Sequence, residues 1–169
     1  MDGVPRESKG ERPDRAPGKK RNRSAMQQID FHFNVGNRLQ YACRFVSKVW
    51  KMGKSVAVWS SDPVRLSDFN RRLWAFDDLS FIPHAFVGAP DASEARVILA
   101  EDAAKLPDSD VLLLLDEQVP PGFESLFTRF DRIADIVSSI PEETAAARLR
   151  YKTYRSLQYP LKAYDQGRR

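Results

Sequence analysis

The chain has one cysteine and two histidines among its 169 residues. A single thiol, Cys43, excludes an internal disulfide and suits a reducing, cytoplasmic setting. With only His32 and His84 beside it, no Cys/His zinc set assembles. A carboxylate magnesium site stays open on these grounds, but no metal or cofactor is expected. Long apolar runs are also missing. The longest, Val111 to Leu115, suits a buried strand and falls far short of the roughly 18 residues that cross a membrane. No secretory apolar segment follows the start. The eight glycines never form Gly-x-Gly-x-x-Gly, so a dinucleotide loop is unsupported at the lone Gly36.

The formal charge of +4 is unevenly placed. Residues 1–25 carry eight basic and four acidic side chains, which leaves nineteen of each sign in the remainder. The body of the chain is neutral and is not a generally basic nucleic-acid binder. Residues 1–25 have no aromatic residue and almost no aliphatic ones. Such a segment cannot bury enough apolar surface to offset its ordering entropy and reads as a disordered basic extension. Met26 stands just before the first strand pattern, so the extension is either a basic tail that contacts nucleic acid or a stretch upstream of the native start.

From Ile29 the pattern is orderly. Ile29 to Phe33 alternates as a strand does, and Asn34 to Asn37 is a turn able to cap a helix. Leu39, Cys43, Val46 and Trp50 recur at helical spacing, and Gly53 stops that helix. Ser55 to Trp59 reads as a buried strand. Asp62-Pro63 opens a second helix with Leu66, Phe69, Leu73 and Trp74 inward. Phe81 to Val87, Val97 to Leu99, Val111 to Leu115 and Asp131 to Val137 are further strands, and Phe123 to Arg129 is a short helix. Ser139-Ile140-Pro141-Glu142 has the capping-box pattern for a last helix ending near Leu157. Strands alternating with helices imply an α/β fold, a Rossmann-like three-layer sandwich with a mostly parallel central sheet flanked by helices. The expected organisation is an extension over 1–25, one α/β domain over 26–160, and a C-terminal tail over 161–169.

Most chemical motifs fail on context. Gly53-Lys54-Ser55 resembles a phosphate loop, but the order is helix, Gly-Lys-Ser, strand, which turns the wrong helix end toward an anion. Asp116-Glu117 follows the central strand, where α/β enzymes place acidic ligands; a solvated turn before Pro120 is the favoured reading. Cys43 sits on an apolar helix stripe and reads as structural. No acid–base or nucleophilic constellation assembles, so no catalytic residue is expected.

One cluster survives. Four of the five tyrosines lie from Tyr151 to Tyr164, and seven basic residues from Arg148 onward face only Asp165. At about 100° per residue, Arg148, Tyr151, Lys152 and Arg155 share one helix face, with Ala146, Leu149, Thr153 and Leu157 expected on the opposite, core-facing side. A solvated face usually mixes signs; cations around a ring form an anion receptor. An acidic peptide or a single-stranded nucleic acid would fit, and the neutral remainder favours the peptide.

The opening strand and helix, Val49 to Val56, the Leu73-Trp74 pair, Ser80-Phe81-Ile82-Pro83-His84 and Arg148 to Arg155 stand in the order found in one known family. Over residues 26–169 the chain resembles the chi subunit of bacterial DNA polymerase III. The resemblance implies a non-catalytic clamp-loader accessory without nucleotide binding, belonging to the DNA-directed polymerase assembly. It implies one contact with the psi subunit, near Trp74 and Phe81. It implies another with the acidic, phenylalanine-ended tail of single-stranded DNA-binding protein, at Arg148, Tyr151, Lys152 and Arg155 with Val137 as apolar wall. DNA would then be reached mainly indirectly, by a monomer or a heterodimer with psi at the cytoplasmic replisome. The alternative is a direct single-stranded nucleic-acid-binding module using the C-terminal stripe.

Overall fold

In the computed structural model, seven strands pair into one sheet, with every pairing parallel. The structure describes residues 27–76 and 81–167, so the expectation for residues 1–25 lies outside the described residues. The strands are β1 (Gln28–Val35), β2 (Val56–Trp59), β3 (His84–Phe86), β4 (Val97–Ala100), β5 (Ser109–Leu114), β6 (Phe130–Ser138) and β7 (Leu161–Asp165). Their order across the sheet is β3-β4-β2-β5-β6-β1-β7. The helices are α1 (Arg38–Lys51), α2 (Pro63–Trp74), α3 (Phe123–Phe127) and α4 (Pro141–Ser156).

The two faces of the sheet bury separate cores. On one, Ala42, Cys43 and Val46 of α1 and Leu66, Phe69 and Leu73 of α2 meet Val56, Val58 and Leu113. On the other, Leu126 and Phe127 of α3 and Ala147 and Tyr154 of α4 meet Ile29, Phe31, Leu112 and Leu114. The apolar run of β5 is thus divided between two layers, because successive strand side chains point to opposite faces.

Local signals place the helix starts. The Asn37 side chain accepts from the Gln40 amide at 3.0 Å, and Asp62 accepts from the Val64 amide at 2.9 Å ahead of Pro63. Gly53 follows α1 with φ 85°, a left-handed conformation that a glycine adopts without strain. The start of α4 differs from the expected capping box. Ser138, not Ser139, accepts from the Ile140 amide at 3.1 Å and donates to Glu143 at 2.7 Å.

Three expectations are corrected. Of Phe81 to Val87 only His84–Phe86 is strand, which leaves Phe81 outside the sheet. Trp74 does not point inward; it is 46% exposed at the end of α2. The stretch after residue 160, expected to be a tail, supplies the edge strand β7, paired to β1 from Ile29–Leu161 to Phe33–Asp165. Its backbone follows Pro160, whose carbonyl accepts from the Ile29 amide at 2.9 Å.

Cys43 is fully buried, and burial pushes its thiol up to about 12. The native protein is expected to resist a thiol reagent at pH 8 and to react with one equivalent once unfolded; rapid native labelling would contradict this packing. Because the folded state holds the proton more tightly, this group's contribution to stability is present below about pH 9 and is lost as pH rises toward 12.

Candidate functional site

The last helix is held by a buried charge cluster. Arg150 donates to both carboxylate oxygens of Asp135 on β6, at 2.9 and 2.8 Å, and to the Glu117 carbonyl at 2.7 Å. Tyr154, one turn further on, donates to Asp135 at 2.8 Å. Asp135 and Tyr154 are fully buried, and Arg150 is 5% exposed. Burial alone would lower the Arg150 pKa, but the charge and hydrogen bonds of Asp135 outweigh it and raise it. Burial, then the charge of Asp135, push the Tyr154 phenol well above its ordinary range.

This clamp sets the rotation of α4, and it overturns the expected core face. Ala147, Arg150 and Tyr154 face inward, whereas Leu149 is 68% exposed and Leu157 is also exposed. Arg150 is therefore not a free cation of the basic stripe. The exposed cations of α4 are Arg148, Lys152 and Arg155, and none has a carboxylate partner among the described residues.

Beside α4 lies a groove of about 540 Å³ between the helix and the β1–β7 edge of the sheet. Val137, Tyr151, Arg148 and Lys152 line it together, and Arg155 does not. The groove also has an apolar floor that the pattern of α4 does not carry. Phe31 and Phe33, two residues apart on β1, project into the groove with Ala147 and Ala163, and the Phe31 and Tyr151 rings meet edge-on at 5.0 Å. The signal was present in the alternation of β1, but which face of that strand meets α4 depends on the sheet order. Asn34 completes the rim in a left-handed conformation, φ 59°, within a register shift between His32 and Val35. That irregularity sends Val35 to the other core while Asn34 lines the groove. Chemically this is an apolar slot with two guanidinium or ammonium groups on one side, suited to an apolar side chain next to an anion.

The carboxyl ends of the central strands, where doubly wound folds take phosphate ligands, are filled by arginines. Arg38 donates to the carbonyls of Ile136 and Asp116 and to Glu117, and Arg65 donates to the Leu115 carbonyl and to Glu117. Asp116 is not part of a solvated turn. It is 5% exposed and accepts from both the amide and hydroxyl of Ser61 at 2.6 Å. Burial raises its pKa, but the hydrogen bonds from Ser61, Glu117 and Gln118 outweigh that and leave it below the ordinary carboxylate value. Among the described residues no group of three or more His, Cys, Asp or Glu side chains could hold a metal ion, and no helix is long and apolar enough to cross a membrane.

A second surface lies at the opposite edge of the sheet. Trp74 and Phe81, 65% exposed, bring their ring centroids within 5.0 Å, and Trp74 lies 4.1 Å from the ring of buried His84 on edge strand β3. The His84 Nδ1 is 2.7 Å from the Ile82 carbonyl, which holds the ring under the tryptophan. Phe86, two residues along β3, is also exposed.

A family model described as DNA polymerase III chi subunit, HolC, matches residues 26–162. The chain is 34% identical over 140 residues to the DNA polymerase III subunit chi of Pseudomonas aeruginosa, across 80% of this chain and 94% of that protein. The chain therefore belongs to the DNA polymerase III chi subunit family, accessory rather than catalytic components of the replicative polymerase.

Proposed function

We propose that the protein is an adapter that ties the polymerase assembly to coated single-stranded DNA by gripping the acidic C-terminal tail of single-stranded DNA-binding protein. The observation that carries this reading is the α4 groove, apolar along Phe31, Val137 and Ala147 and cationic at Arg148 and Lys152. A terminal phenylalanine enters the slot, its carboxylate meets Arg148, and preceding aspartates meet Lys152 and, outside the groove, Arg155. On the far edge, Trp74 and Phe81 receive the psi subunit. The protein has no reaction of its own and works at the cytoplasmic replisome, alone or paired with psi.

Titration with the tail peptide tests the site. Arg148→Ala or Lys152→Ala is expected to weaken binding by about tenfold or more, and Arg155→Ala by less, because Arg155 does not line the groove. Added salt weakens binding in the wild type. A peptide lacking its last residues is expected not to bind. Unchanged affinity in both the Arg148 and Lys152 variants would remove this site from the reading.

A further inference from the structure

The other face of β1 carries a second groove. Phe31 and Phe33 point toward α4, and the alternate residues Asp30 and His32 point toward α1. There, with Tyr41, Arg44, Phe45 and Lys48 of α1 and Tyr164 of β7, they line a groove of about 570 Å³. Its rings are ordered against one another. His32 stacks on Tyr164 at 4.9 Å with planes 17° apart, meets Phe45 edge-on at 5.6 Å, and its Nδ1 shares a 2.7 Å hydrogen bond with the Tyr41 hydroxyl.

Cations stand along the rim. The Arg44 guanidinium lies 5.3 Å from the Tyr41 ring centre, and the Lys162 ammonium lies 5.7 Å from that of Tyr164. Lys48 follows Arg44 by one helical turn. Arg44, Lys48 and Lys162 have no carboxylate partner among the described residues. The carboxylate that lines the groove, Asp30, is taken up by Arg132 through contacts of 3.0 to 3.2 Å and accepts from the Tyr164 hydroxyl at 3.3 Å. The groove is thus net positive.

Its polar floor separates it from the α4 slot. The His32 Nε2 is buried without a hydrogen-bond partner among the described residues, closed off beneath the rings of Phe45 and Tyr164. Burial holds that imidazole below its ordinary pKa, so the ring adds no charge to the groove at neutral pH. The half-buried rings of Tyr41, Phe45 and Tyr164 offer surface for nucleobases, and the exposed cations of the rim meet their phosphates.

We infer that the α1–β7 groove binds single-stranded nucleic acid directly, through Tyr41, Phe45 and Tyr164 with Arg44, Lys48 and Lys162, on the sheet face opposite the α4 groove. The site uses different residues from the peptide groove, so either reading stands without the other.

Fluorescence anisotropy with a labelled oligo-dT of about 20 nucleotides, on the full chain at about 50 mM salt, tests it. The Arg44→Glu/Lys48→Glu variant is expected to bind at least tenfold more weakly, with a salt slope reduced by about 1.4 for two phosphate contacts. Its melting temperature is expected to match the wild type, since both side chains are exposed. Tyr164→Ala is expected to weaken binding further, and Arg148→Ala/Lys152→Ala to leave it unchanged. Three results would overturn the inference: no binding by the wild type, equal binding by Arg44→Glu/Lys48→Glu, or loss of binding only when Lys19, Lys20, Arg21 and Arg23 are neutralised. A fourth would also overturn it: an acidic peptide that displaces the oligonucleotide from wild type and from Arg148→Ala/Lys152→Ala equally, which would make this groove a protein site.

Discussion

Asp135→Ala is expected to destabilise the fold by about 3–5 kcal/mol, because it strands a buried guanidinium. Arg150 loses both of its charge-assisted bonds and keeps only the Glu117 carbonyl, and the buried Tyr154 hydroxyl loses its acceptor. For a domain of this size the melting temperature falls by roughly 10 °C or more. Denaturant unfolding measures the loss directly as a lower midpoint at unchanged slope. A double variant, Asp135→Leu/Arg150→Met, removes both charges together and is expected to recover more than half of the loss, since a well-packed apolar pair often replaces a buried ion pair without penalty. A loss below about 1 kcal/mol in Asp135→Ala would mean that the cluster does not hold the helix. The consequence reaches the groove. Arg150 and Tyr154 orient α4, and α4 presents Arg148, Tyr151 and Lys152 to the slot. Asp135→Ala is therefore also expected to weaken tail-peptide binding although Asp135 lines no part of the groove.

Trp74→Ala combined with Phe81→Ala is expected to weaken binding of the psi subunit by at least about 30-fold, the effect of removing a central aromatic anchor from an interface. The two rings are exposed and packed against each other. Exposed paired aromatics beside an edge strand form an apolar patch of the kind that marks a partner site. Truncation removes the anchor and leaves the core on that face, Leu66, Phe69 and Leu73, intact. Thermal unfolding of the free variant is expected to stay within a few degrees of wild type. Co-purification with psi followed by a calorimetric titration separates the two outcomes, and equal affinity in the double variant would move the psi contact elsewhere.

Much of the fold was legible because its signals are local. Asn37 and Asp62 cap their helices as the short polar side chains before them suggest, Gly53 ends α1, and the Gly-Lys-Ser segment lies between a helix and a strand, as the residue order requires. The apolar run from Val111 marks a strand covered on both faces, and its short length identifies it. The shared face of Arg148, Tyr151, Lys152 and Arg155 follows from helix geometry. Which part of that face borders a groove does not. Phe31, Phe33 and Ala163 come from β1 and β7, strands 130 or so residues apart in the chain that the sheet makes neighbours.

The rotation of α4 shows the limit most sharply. Hydrophobicity pointed Leu149 and Leu157 inward, and the folded chain exposes both and buries Arg150 instead. A leucine is the better buried residue in isolation, but a guanidinium becomes buriable once Asp135, fifteen residues away on another element, supplies its charge and two acceptors. That pairing energy exists only after β6 and α4 pack together. The same holds for His32, whose ring is shared among α1, β1 and β7. Most helix and strand positions, the parallel α/β class and the position of the basic stripe are consequences of spacing along the chain, whereas edge strand β7 is not. The depth of the α4 groove, the exclusion of Arg155 from it, the exposure of Trp74 and the second groove across the sheet are consequences of contacts between distant segments, which no local pattern carries.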